Sequence, residues 1–371
     1  MTQLSRLLSA VAPPPLDGAE AAQRHLDGLT KPPGSLGRLE EIALRLALLR
    51  GSAPEVGHPV IFTFAADHGV VAEGVSAYPQ VVTAQMVENF LRGGAAVNVL
   101  ARQAGARVVV ADLGVASPLQ GSANLVARPI GPGTGNIAAG PAMTREQAIR
   151  AIEAGATLAE EALDGGADLL ATGEMGIGNT TVASAIAAAI TGAAAERVTG
   201  RGTGVDDATL ARKVAVVRRA LEINRPDAGD GLDVLAKVGG FEIGGLVGVI
   251  LAGASRRVPV VLDGFIAGAA ALIAVTLAPA ARHVLFASHR SAEPGHAFVL
   301  GHLGLEPYLD LSLRLGEGTG AALFIHLARA AALVWSQMAT FKSAGVSESE
   351  GAEAAPENKV APAKSAPERR R

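Results

Sequence analysis

Two glutamates stand where the chain's chemistry is expected. Glu317 lies between glycines in Leu315-Gly316-Glu317-Gly318-Thr319-Gly320, at the mouth of an apolar run from Ala321 to Met338 with helical spacing. Glycines on the approach to a helix leave backbone N–H groups and the positive dipole end open, and such a place holds anions without side chains. A carboxylate set there is either an anchor for the bound state or a base awaiting a proton. Glu174 follows the apolar run Ala167 to Ala171 and precedes Met175-Gly176-Ile177-Gly178-Asn179-Thr180-Thr181, with a helix expected over Val182 to Ile190. Gly176 and Gly178 let the backbone approach an anion closely, and Asn179, Thr180 and Thr181 add donors. The segment reads as a phosphate cradle, against the plainer reading of a tight strand–helix turn. Taken alone, Glu174 reads as a surface loop acid.

Other polar clusters carry weaker signals. Asp67-His68-Gly69 follows the first strongly apolar strand. The pair suits a metal or a base by type, but neighbours at a strand end point to opposite faces, so a structural role competes. Ser288 to His296 gathers two imidazoles and Glu293, but Pro294 and Gly295 break any helix that would align them. Ser291 and Arg290 are expected to serve as donors for an anionic or hydroxylated ligand instead of metal ligation. Lys213 lies on a helical stretch after Gly200-Arg201-Gly202-Thr203-Gly204, and only that glycine loop lifts it above a solvated lysine. Gly133, Gly135 and Ala138 match a dinucleotide-binding spacing, but no clean strand feeds them and no acid ends a second strand about twenty residues on.

The elements that must position these groups are legible as alternation. Short β-rich runs at 60–64, 106–111, 167–171, 258–262 and 283–287 alternate with helical patterns, which implies βαβ units and a mostly parallel, Rossmann-like sheet flanked by helices. Continuous apolar strands fit a sheet covered on both faces, with ligands at its carboxyl ends. The expected partition is an α/β core at 56–302, a smaller helical lobe from 1–55 and 303–342, and a disordered tail at 343–371 rich in Ser, Glu, Ala, Pro and Lys. The uncharged stretch Gly264 to Ala281 reads as a buried helix, not a membrane span.

Composition narrows the function classes. The 371 residues suffice for a full core, and the 3% aromatic share means an interior filled by aliphatic side chains and glycine. A net charge of −3 offers no field for nucleic acid, and the absence of cysteine excludes thiol catalysis and disulfides. No signal-peptide pattern stands at residues 1–15, so a cytoplasmic location is expected.

Together, Lys31 to Glu40, Phe64 to Val70, Tyr78-Pro79-Gln80, Gly173 to Thr181, Ser288 to His296 and Gly316 to Ala321 resemble the nicotinate-nucleotide–dimethylbenzimidazole phosphoribosyltransferase family, in order over residues 1 to 340. The resemblance implies an enzyme of cobalamin nucleotide-loop synthesis. Phosphoribose would move from nicotinate mononucleotide to 5,6-dimethylbenzimidazole with inversion, giving α-ribazole 5′-phosphate and nicotinate. A ribosyl pyridinium departs as a neutral ring and needs no strong acid, whereas the azole nucleophile must lose a proton to a base. The family assigns that role to the residue that here is Glu317, with Glu174 near the ribose or the reacting base and able to share it. Gly176, Ile177, Gly178 and Asn179, with Gly202 and Lys213, would hold the 5′-phosphate. Ser291 and Leu315 would complete the substrate site, and Tyr78, Gln85 and Met175 would face the flat base. The resemblance further implies a homodimer without cofactor or metal. A metal-dependent nucleotide hydrolase using Asp67 and His68, a non-catalytic nucleotide-binding protein and a dinucleotide oxidoreductase are the competing readings.

Overall fold

A computed structural model describes residues 2–15, 18–51, 54–119 and 122–347. Six parallel strands form one sheet: β1 (Pro59–Ala66), β2 (Arg107–Gly114), β3 (Leu125–Ala127), β4 (Leu169–Met175), β5 (Val260–Leu262) and β6 (Leu285–Ala287). Their order is β3-β2-β1-β4-β5-β6. The direction of winding therefore reverses between β1 and β4, and the crevice at the carboxyl ends of those two strands is where such sheets bind ligands. All eight residues of β1 are buried, which is why its sequence is apolar without alternation.

The expected strands are all present with shifted ends. β4 runs on through Met175, so Glu174 lies inside the strand, opposite Phe64 of β1, and is not on a surface loop. β6 begins later than expected because a 3₁₀ turn, Pro279–Val284, takes up the first part of its apolar run. A sixth strand, β3, has no counterpart in the sequence reading. It is three residues long and only half-buried, too short for its pattern to register.

Close helix packing depends on glycine. A Cβ at Gly155 would overlap the backbone of Gly245, and one at Gly248 the carbonyl of Ile152. The helices Arg145–Asp164 and Phe241–Ser255 thus touch backbone to backbone. Phe265–Leu277 is thirteen residues long and buried all round through Ala274, a core helix as its composition suggested. Among the described residues one helix, Thr319–Gln337, is long and apolar enough to cross a membrane, and 56% of its apolar window is buried within the protein, as in core helices.

The chain divides into two compact units, Met1–Pro14 with Glu55–Arg329, and Pro15–Pro54 with Ala330–Arg371. The first contains the sheet and also the Gly316–Gly320 loop, which the sequence partition had given to the helical lobe from residue 303. In the second, Lys31 and Glu40 form a buried ion pair at 2.9 Å within the Lys31–Glu40 turn, and a bridge joins Leu29 to Thr340. Its last helix runs Phe341–Ala344, and most of the expected tail, 348–371, lies outside the described residues.

Candidate active site

Glycine loops at the carboxyl end of the sheet bring the two glutamates together. Gly316, Glu317 and Gly318 all have positive φ, at 86°, 66° and 99°. For a glutamate the left-handed conformation costs about 1–2 kcal/mol, so the surroundings must hold it. They do so from two sides. Thr63 Oγ1 of β1 donates to the Glu317 carbonyl at 3.0 Å, and Gly173 of β4, which has no side chain, lets that carbonyl lie against the strand. From the other side the Asp263 carboxylate, just past β5, accepts from Gly318 N at 3.0 Å, Gly320 N at 2.7 Å and Ala321 N at 3.1 Å.

Those bonds correct the expectation of an open anion site at this helix mouth. Asp263 fills it. The Glu317 carboxyl takes none of these three N–H groups. The side chain is 5% exposed, with Oε2 unpartnered. Burial, then the Asp263 charge, pushes it up to about 7, opposed by a hydrogen bond from the Val97 backbone.

Glu174 is the buried neighbour. Asn179 Nδ2 and the Glu317 backbone N–H donate to its carboxyl, and a Cβ at Gly316 would overlap its Oε1. Burial, followed by the charges of Asp263, Glu242 and Glu317, raises Glu174 well above the usual carboxylate range. Both glutamates are thus raised by their environment, Glu317 to about 7 and Glu174 well above its ordinary value.

A cleft reaches Glu174 and Gly316, while Glu317 itself is not among the residues that line it. Glu174, Met175, Gly176, Ile177, Asn179, Gly202, Ser291 and Leu315 line it as the sequence reading expected, together with Thr180, Phe265, His289, Glu293 and Arg314. Gly178, φ +96°, starts the helix Asn179–Thr191 with no side-chain cap, while Asn179 N and Thr181 N turn back onto the Gly176 and Gly178 carbonyls at 3.1 and 3.0 Å. Ile177 N is fixed by Thr83 Oγ1 at 3.1 Å. Lys213 lies just behind the lining, 1% exposed, with Nζ donating to Thr180 Oγ1 at 3.1 Å. Burial lowers its ammonium while Glu293 opposes, and burial raises Glu293 while Lys213 opposes. Glu293 Oε1 in turn accepts from Gly202 N at 2.9 Å.

Other expected residues lie elsewhere. Tyr78, 50% exposed, and Gln85, exposed on the helix Val82–Leu91, do not line this cleft. Arg290 faces solvent beside Asp310 at 3.3 Å, so of the two donors expected in its loop only Ser291 reaches the cleft. Asp67 and His68 diverge as their strand-end position required. Asp67 Oδ2 accepts from Ala116 N at 2.8 Å, and His68 Nε2 stands 2.9 Å from Glu242 Oε1, both side chains fully buried. His68 packs under Gly176 and Gly178, supporting the cradle from below. The Gly131–Ala138 run forms a loop along that strand end, with Thr134 bonded to Asp67 and Gly69 through the backbone.

Sequence reasoning missed Asp263 and Glu242 as site residues. Each had a signal: Asp263 is the first residue after an apolar strand, and Glu242 is the lone charge in a wholly apolar helix.

Comparison with known proteins adds to this geometry. The profile of a phosphoribosyltransferase family matches residues 11–346. The nicotinate-nucleotide–dimethylbenzimidazole phosphoribosyltransferase of Chloroflexus aggregans is 59% identical over 349 residues, covering 94% of this chain and 99% of its own length. That of Desulforudis audaxviator is 55% identical over 349 residues, covering 94% of this chain and 99% of its own length. The crystal structure of the protein of the same name from Thermus thermophilus superposes with a TM-score of 0.85 at 52% identity, covering 89% of this chain and 98% of the other.

Proposed function

The chain belongs to the nicotinate-nucleotide–dimethylbenzimidazole phosphoribosyltransferase family, and we propose that it moves phosphoribose from nicotinate mononucleotide to 5,6-dimethylbenzimidazole with inversion at the sugar carbon. The observation that carries this reading is one cleft with an uncapped helix mouth at one end and, at its Gly316 rim, a buried carboxyl poised near neutrality. A monophosphate suits the mouth. Backbone groups at Gly176 and Gly178 and the Lys213 ammonium supply the positive field without a metal clamp.

The nucleophile is a benzimidazole ring nitrogen, and its lone pair forms the new bond to the sugar carbon as the bond to the pyridinium nitrogen breaks. Nicotinate leaves with that electron pair on a neutral ring nitrogen. The proton on the other benzimidazole nitrogen passes to Glu317 Oε2. Burial raises Glu174 and favours its protonated form, which would donate a hydrogen bond toward the ribose and leave the base role to Glu317. Positioning of the two rings supplies most of the remaining rate.

A homodimer and a cytoplasmic location complete the proposal. The exposed Tyr78 and Val81, close to Gln85, offer an apolar surface outside the cleft that a second copy would cover. The test is incubation with nicotinate mononucleotide and dimethylbenzimidazole, with α-ribazole 5′-phosphate resolved from its β-anomer by chromatography. Formation of the α product is expected. Free ribose 5-phosphate as the sugar product points to the hydrolase reading, and binding without turnover points to a sensor.

A further inference from the structure

Asp263 is 2% exposed, and its carboxylate accepts from three backbone N–H groups on the loop that carries Glu317 and the helix start after it. Gly318 N bonds to one carboxyl oxygen, while Gly320 N and Ala321 N bond to the other. Both oxygens are thus committed to the first turn of Thr319–Gln337, where the helix dipole favours a negative charge. His289 Nε2 stands 3.8 Å from Oδ1 on the cleft side, and the backbone carbonyl of Asp263 accepts from Ser288 Oγ at 3.1 Å. Burial raises Asp263 above the usual carboxylate range, while His289 and the three N–H donors oppose that and favour the charged form.

We propose that Asp263 is the positioning residue for Glu317: it clamps the left-handed Gly316–Gly318 turn and sets a fixed negative charge beside the Glu317 carboxyl. The proposal rests on Glu317 being the proton acceptor. The groups facing Glu317 are Asp263 after β5, Glu174 in β4 and the Val97 N–H that begins the helix Ala96–Gln103, with Glu242 acting on Glu174 and His289 on Asp263. Among these, Asp263 holds three N–H groups of the turn and the helix start, whereas Glu174 accepts from the Glu317 N–H. Removing the Asp263 charge while keeping a hydrogen-bonding side chain should make Glu317 a weaker base, even where the turn survives.

Asp263→Asn and Asp263→Ser test this, since Asn and Ser both cap helix N-termini well and keep the fold accessible. The readout is the titration of Glu317 by ¹³C NMR of carboxyl-labelled glutamate, its resonance assigned by its loss in Glu317→Gln. This measurement does not depend on turnover, so it stands or falls separately from the proposed reaction. The midpoint is expected to fall from near 7 by about half a unit or more in both variants. Where turnover is measured, the acid limb of kcat should move down by the same amount, with kcat itself reduced about tenfold or more by loss of orientation. Thr63→Val loosens the same turn without changing charge, and should lower kcat while leaving the midpoint in place. An unmoved Glu317 midpoint in the folded variants would overturn the proposal. So would failure of both Asp263 variants to fold, which would make Asp263 a cap required for the fold alone.

Discussion

The molecule contains two glycine-rich helix mouths within one site, and they are used in opposite ways. Gly176–Gly178 leads into Asn179–Thr191 with no side chain capping it, and Lys213 stands behind. Gly316–Gly318 leads into Thr319–Gln337, and there Asp263 takes the N–H groups of Gly318, Gly320 and Ala321. The first has no carboxylate set on it. The second has spent its N–H groups on a carboxylate brought from another strand, and the loop instead presents Glu317. Whether a glycine-rich helix start binds anions depends on what the fold sets opposite it, not on the glycines.

Glu317→Gln breaks the second mouth and should leave the first intact. Turnover is expected to fall about a hundredfold or more, as for a lost general base, with little change in the KM for nicotinate mononucleotide. Steady-state kinetics check it, and near wild-type turnover would move the base role to water or another group. Lys213→Met breaks the first mouth. A charge-assisted contact to phosphate contributes about 1.5–3 kcal/mol, so the KM for nicotinate mononucleotide should rise roughly 10- to 100-fold, with a smaller effect on kcat. Calorimetric titration with nicotinate mononucleotide reads the binding loss directly, and unchanged affinity would place the phosphate elsewhere. Thr180→Val removes only the hydroxyl that Lys213 holds at 3.1 Å. One neutral partner lost is worth about 1 kcal/mol, so a change of several-fold in KM is expected, smaller than for Lys213→Met. The reverse order would mean that the hydroxyl, not the ammonium, is the ligand contact.

Much of this site could be read from sequence because its grammar is local. Gly176, Ile177, Gly178 and Asn179 follow a strand and start a helix, and the fold places them where that order implies. The parallel sheet was equally legible, since buried strands such as β1 carry unbroken apolar runs. What could not be read was long-range. Asp263 meets Gly320 across 57 positions of chain, and Glu242 meets His68 from a helix whose remaining residues suggest only packing. Spacing along the chain has no term for such contacts. The same limit explains why Glu174 read as a loop acid: it is raised by burial beside Asp263, Glu242 and Glu317, none of which is adjacent to it in sequence.

The contrast between the two mouths also fixes the pH behaviour. Glu317 accepts a proton only when ionised, so activity is lost as pH falls through its midpoint and regained above it. The most direct test is kcat of the wild-type chain from pH 5 to 9 with both substrates saturating, alongside the residual kcat of Glu317→Gln. An acid limb near pH 7 that disappears in the variant is the predicted result. A limb in the ordinary carboxylate range of about 4–5, or one near 7 that persists in Glu317→Gln, would contradict the account.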